Sequence, residues 1–149
     1  MNLHHYRFHS RWPLPAPAPV VHRILERVED YPRWWPQVRE VTRTDATTGT
    51  ARIRSVLPYD LVVVLRAQRR DPAAGILEVR LDGDITGRAR WTVTPVDTGG
   101  CLARYDQEAE IRKPLLRRLA VPARCLFRAN HALMMRAGRR GLTAHLEAV

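Results

Sequence analysis

Residues 113–146 read KPLLRRLAVPARCLFRANHALMMRAGRRGLTAHL, and the rest of the chain is organised around them. On a helical wheel, Leu116, Leu119, Ala123, Leu126, Phe127 and Asn130 fall on one side. Leu133, Met134, Ala137, Gly138, Gly141 and Ala144 join them there. Arg117, Arg118, Arg124, Arg128, Arg136, Arg139 and Arg140 gather on the other. This is the pattern of an amphipathic helix. A restart is expected at Pro122, because proline fits a first helical turn but not a helix interior. The apolar side carries an amide, Asn130, and its C-terminal half is lined by small residues. That composition predicts a helix which leaves room for a cavity instead of packing flush on its neighbour.

The opposite wall is predicted upstream. From Val38 to Ile111, turn signals at Asp45–Gly49, Pro58–Asp60, Asp71–Gly75, Asp82–Asp84 and Asp97–Gly100 divide the chain into strands. Between the turns the odd positions are the less charged, as in Leu77, Val79 and Leu81, or Ala89, Trp91 and Val93. The even positions hold Arg52, Arg54, Glu78, Arg80, Arg88 and Arg90. Alternation of this kind describes an antiparallel sheet covered on one face only. Asp106, Glu108 and Glu110, on the outward parity, are expected to pair with Arg88, Arg90 and Arg104. Only Leu61–Leu65 is apolar throughout, which predicts a strand covered on both faces or lying at an edge.

Ahead of the sheet, residues 3–12 alternate with Tyr6, Phe8 and Trp12 on one side, a further half-buried strand that the run PLPAPAP at 13–19 is expected to end. Val21, Ile24, Leu25 and Val28 are spaced for a short helix, and YPRWWP at 31–36 for a helical turn. Of the two adjacent tryptophans, one is expected to plug the core and the other to be partly exposed.

With 149 residues the chain can bury a core as one domain, spanning 1–149. Its two cysteines, Cys101 and Cys125, have no metal-type spacing and read as free thiols of a cytoplasmic protein. The N-terminus lacks the apolar region of a secretion signal, and no apolar run is long enough to span a bilayer. The formal net charge is +10, most of it local: residues 112–149 hold nine Arg or Lys and one Glu. Such a stripe is permitted to meet an acidic partner, either a carrier protein or an anionic lipid surface. Nucleic acid is disfavoured, since no aromatic platform is interleaved with the arginines. There is no HExxH, no Cys/His cluster, no GxSxG and no phosphate-cradling glycine loop, so neither a metal nor another cofactor is expected.

The order of elements, with VEDYPRWWPQVREV at 28–41 and LFRANHALMMRAGRRGL at 126–142, resembles the START-like (SRPBCC) superfamily, nearest its polyketide cyclase/dehydrase branch. The resemblance implies an α+β helix-grip fold. A curved seven-stranded antiparallel sheet wraps a long C-terminal helix, two short helices lie between the first two strands, and an apolar cavity separates sheet from helix. Family members bind sterols, lipids or polyketides, and some are aromatases or cyclases, so fold alone does not choose among them.

Within that frame the residues expected to face a small apolar ligand (a lipid, polyketide or isoprenoid-like molecule) are Trp35, Ser55, Trp91, Tyr105, Gln107, Phe127, Asn130 and Met134. Tyr105, Gln107 and Ser55 are the inward polar groups of the sheet, suited to orient oxygen functions. His131 is expected at the rim of the helix face, about 100° round from Asn130. Should the chain be an enzyme of the aromatase/cyclase type, Tyr105, Asn130 and His131 are the candidates for moving protons. No catalytic motif of the family matches positions here.

Overall fold

A computed structural model describes residues 5–54, 60–113, 118 and 124–148. Strand β1 (His5–Leu14) is followed by helix α1 (Ala18–Glu26) and a 3₁₀ turn (Val28–Arg33). Then come β2 (Val38–Arg43), β3 (Thr48–Ile53), β4 (Leu61–Asp71), β5 (Ile76–Gly83), β6 (Ile85–Pro95) and β7 (Cys101–Ile111), and finally helix α2 (Arg124–Glu147). The strands form one antiparallel sheet in the order β1-β7-β6-β5-β4-β3-β2. The strands from β2 onward pair in sequence order, while α1 and the 3₁₀ turn carry the chain from one sheet edge to the other. This is the helix-grip arrangement. The expected restart at Pro122 and the wheel positions Leu116, Leu119 and Ala123 lie outside the described residues.

Strand parity runs as the alternation predicts. Ala51, Leu77, Leu81, Ala89, Trp91, Val93, Cys101, Ala103 and Ala109 are all buried on the concave side. Register matches large to small: Trp12 faces Ala103 and Tyr6 faces Ala109 across β1 and β7.

Three expectations about the sheet need correction. Strand β1 does not stop at Pro13 but continues to Leu14, with Pro13 opposite Leu102. It is an edge strand, where the missing N–H costs no ladder bond. Strand β4 is neither an edge nor covered on both faces: it lies between β3 and β5, and Val62 is exposed on the convex side. The outward charges also pair differently. Arg88 does meet Glu108 at 3.7 Å, but Arg90 turns to Glu78 at 3.1 Å, Asp106 to His9 at 2.6 Å and Glu110 to Arg112 at 3.2 Å. The edge strand β1 and Arg112 just past β7 compete for the β7 carboxylates, and Glu78 of β5 competes for Arg90, which parity cannot foresee.

The main core is aromatic. Trp12 lies 4.7 Å from Trp91 and 5.3 Å from Trp35 between ring centroids, and Tyr31 lies 4.8 Å from Trp34. These are tilted and edge-on geometries that aromatic quadrupoles favour. Tyr31 donates its hydroxyl to the Leu25 carbonyl at 2.6 Å, tying the 3₁₀ turn to α1. Trp34 and Trp35 are both buried, so the expectation of one exposed indole fails. The reason lies in α2, which comes down on both.

Its small residues have a different use from the one the composition suggests. A β-carbon at Gly138 would sit 2.5 Å from Trp35 Cε2 and 2.8 Å from Trp35 Nε1; one at Gly141 would overlap the Trp34 carbonyl oxygen. The two glycines bring the helix onto the tryptophan turn. Without a side chain at 138, the Trp35 indole reaches past to donate to the Met134 carbonyl at 2.9 Å. This contact fixes the rotation of the helix. Phe127, Met135, Gly138 and Leu142 are buried, whereas Leu126, Leu133 and Ala144, assigned inward by the wheel, are exposed.

Among the described residues no helix is long and apolar enough to cross a membrane.

Candidate functional site

The C-terminal half of α2 packs on tryptophan, while its N-terminal half meets the β1–β7 side of the sheet, with Phe127 against Tyr6 and His131 against Phe8, and leaves the middle of the sheet uncovered. Between helix and sheet lies a cavity of about 220 Å³. The floor is the concave face of β3–β7, with Val63, Leu81, Ala89 and Ile85 prominent; the roof is Phe127, Asn130, His131 and Met134 of α2. Tyr6 and Phe8 of β1 close one side, and Leu25, Tyr31 and Trp35 close the end toward the tryptophan core. Trp35, Trp91, Tyr105, Gln107, Phe127, Asn130 and Met134 all line this space. Ser55 lies outside the described residues.

His131 also lines the cavity, not its rim. The 100° between neighbours on a helix is compatible with this because the space spans more than one side of α2. The imidazole stacks on Phe8, with centroids 3.7 Å apart and planes 10° from parallel. Its Nε2 lies 3.1 Å from Gln107 Oε1, and Tyr105 donates its hydroxyl to the same oxygen at 2.6 Å. Tyr105 and Gln107 are two apart on β7, hence on one face of the sheet. An amide oxygen only accepts, so His131 carries its hydrogen on Nε2 and leaves Nδ1 as an acceptor.

Burial makes this cluster neutral. It lowers the His131 pKa to about 4 and raises that of the Tyr105 phenol. At neutral pH the cavity therefore presents an uncharged imidazole, an amide and a phenol in apolar surroundings. Trp35 offers nothing polar to a ligand, its N–H being already given to Met134.

A stability consequence follows. Above pH 6.5 the histidine is neutral in folded and unfolded chains alike. Below 6.5 the unfolded chain takes up a proton that the folded one refuses until about pH 4, so stability falls through this window. Between pH 7 and 4.5 the loss from this group is roughly 2–3 kcal/mol. Urea titrations of wild type and His131→Gln at the two pH values should show the variant lacking that component. Equal pH dependence in the two proteins would contradict it.

Charged groups gather at the end of the cavity near the close of α1: Glu26, Arg69, Arg70 and Glu78. Arg69 is held by Asp71 at 3.1 Å and Glu78 by Arg90. Arg70 is there because of a β-bulge after Ala67, which sets Arg70 instead of Arg69 opposite buried Leu77. Sequence reading missed Arg70, for the alternation gives no sign of a bulge. It also does not assign Tyr6 and Phe8 to the cavity, although it places both, with Trp12, on one side of β1.

A family model described as polyketide cyclase / dehydrase and lipid transport matches residues 6–147. No curated protein matches the chain. Solved structures of similar fold include the Zhui aromatase/cyclase of Streptomyces sp. R1128, 14% identical with a TM-score of 0.78, covering 97% of this chain and 94% of that one. A protein of Thermus thermophilus is also 14% identical with a TM-score of 0.80, covering 96% and 98% respectively. A START superfamily protein of Mycobacterium smegmatis is 15% identical with a TM-score of 0.70, covering 95% and 97%. Identities this low speak for the fold alone.

Proposed function

The chain belongs to the polyketide cyclase / dehydrase and lipid transport family of the START-like superfamily, and on that footing we propose that it binds and carries a small apolar ligand. The ligand sits between the concave sheet and α2 and bears at least one oxygen function. One observation carries this reading: an apolar cavity with the neutral Tyr105–Gln107–His131 cluster set in its wall. Apolar burial supplies the affinity, and the cluster orients the oxygen, a hydroxyl giving to His131 Nδ1 or a carbonyl accepting from the Gln107 amide.

Size narrows the class. Pockets for drug-sized ligands run to roughly 300–1,000 Å³, while a cavity of about 150 Å³ is enough for benzene. A space of about 220 Å³ suits one or two rings or a short branched chain, such as a monoterpenoid-sized isoprenoid or a bicyclic phenol. The protein would act in the cytoplasm with Cys101 and Cys125 as free thiols.

Trp35 and Trp91 line the cavity, so binding is readable in intrinsic fluorescence. Titration with 2-naphthol should change the tryptophan emission in a saturable way, and 2-methylnaphthalene, lacking the hydroxyl, should bind about tenfold more weakly. Absence of saturable binding by either compound would overturn the reading.

The same cluster supports a second reading, a polyketide aromatase/cyclase. Tyr105, Asn130 and His131 would then move protons on a ketone chain delivered by an acidic acyl carrier protein docked on the arginines of α2. His131 Nδ1 would be the base, with a low pKa that limits its strength. Product profiles unchanged by His131→Gln and Tyr105→Phe would remove this alternative.

A further inference from the structure

The arginines of α2 differ from most of those on the sheet, although Arg11, Arg39, Arg70 and Arg104 of the sheet also lack an ion pair among the described residues. On and around the sheet, Arg7, Arg52, Arg66, Arg80, Arg88 and Arg90 each lie within 3.9 Å of a carboxylate. On α2, Arg128, Arg136, Arg139 and Arg140 are exposed, and among the described residues none pairs with a carboxylate. No Asp or Glu occurs between Glu110 and Glu147. A coding bias toward arginine would enrich both surfaces but would not remove the acids from one of them.

Apolar residues are exposed on the same surface. Leu126 is 53% exposed and Leu133 50%, the two largest values among the exposed large hydrophobics of the described residues. They are seven apart, two turns along one stripe, with exposed Ala129 between them and Arg136 and Arg140 continuing the line. Packing does not require the leucines to be here, since the rotation of α2 is fixed by the tryptophan turn on its opposite side.

We propose that this face of α2 docks on an anionic lipid bilayer. Leu126 and Leu133 enter the boundary between headgroups and acyl chains, Arg136 and Arg140 on the same stripe meet lipid phosphates beside them, and Arg128 and Arg139, farther round the helix, add to the positive field. A bilayer fits better than an acidic protein because the features, from Leu126 to Arg140, lie in a line roughly 21 Å long on the helix, which a planar surface can touch throughout. The helix that docks is also the cavity's roof. Ligand exchange with the membrane would therefore take place beside the site, but docking itself does not depend on the cavity being occupied.

Co-sedimentation of the full chain with vesicles tests this. Pure phosphatidylcholine vesicles should leave it in solution, and vesicles with about 30% phosphatidylglycerol should bring it down. Raising salt to about 0.5 M should weaken binding at least tenfold. Leu126→Ser with Leu133→Ser, both at exposed positions and so expected to leave the melting temperature unchanged, should weaken it about tenfold at low salt. Arg136→Gln with Arg140→Gln should do the same. Failure to bind anionic vesicles would overturn the proposal. So would leucine variants that bind as wild type, an outcome that marks a merely basic surface equally open to an acidic protein. Naphthol titration of the same variants should be unchanged, separating docking from the cavity.

Discussion

Replacing Gly141 by alanine is expected to destabilise the fold by about 2–3 kcal/mol, among the largest effects of any single methyl group here. The new β-carbon would overlap the carbonyl oxygen of Trp34. That obstacle is backbone, unable to swing aside as the end of a side chain would. Either α2 lifts or the tryptophan turn moves, and both open the interface around Leu142, now wholly buried. Overpacking commonly costs about 1–3 kcal/mol; a rigid obstacle places this case at the upper end or above it. Alanine returns up to about 1 kcal/mol through its helix propensity. The melting temperature should drop by roughly 5–10 °C. Leu133→Ala, on the exposed side of the same helix, should change stability by less than about 0.5 kcal/mol. A Gly141→Ala protein as stable as wild type would mean that the helix does not lie where it is described.

Filling the cavity should have the opposite pattern. Ala89 lies in the middle of β6, paired with Val79 and Gln107, and its side chain borders the cavity. In Ala89→Phe the ring projects into the space a ligand would take. Naphthol affinity should fall at least tenfold, about 1.4 kcal/mol. Stability should change little, because the ring enters empty volume instead of displacing packed atoms. Val62→Phe, on the convex face, is the control and should bind normally. If Ala89→Phe bound naphthol as wild type does, the binding site would lie elsewhere.

The sheet was legible in the sequence because only one of its faces is covered, so burial writes itself into alternate residues. For that reason Trp91, Tyr105 and Gln107 could be assigned to one space from strand parity. The helix was half legible. Amphipathicity showed that it has an inner face, but its rotation is set by two glycines meeting Trp34 and Trp35, a contact between segments about a hundred residues apart. A wheel therefore put Leu126 and Leu133 inward and left His131 at the margin. Arg70 was illegible for a different reason. The bulge that sets it opposite Leu77 is a property of strand pairing, and its neighbours keep an unremarkable pattern. Ion pairs on the convex face failed in the same way, being chosen by the local competition among several arginines for each carboxylate.

The central claim is that the space beneath α2 is a ligand site. The most direct measurement is a crystal structure of the protein grown with saturating 2-naphthol. The account expects the two rings between Ala89 and Leu81 of the sheet and Phe127 and Met134 of α2, with the hydroxyl bonded within the Tyr105–Gln107–His131 cluster. An unfilled cavity at saturation, or naphthol bound only outside it, would contradict the account.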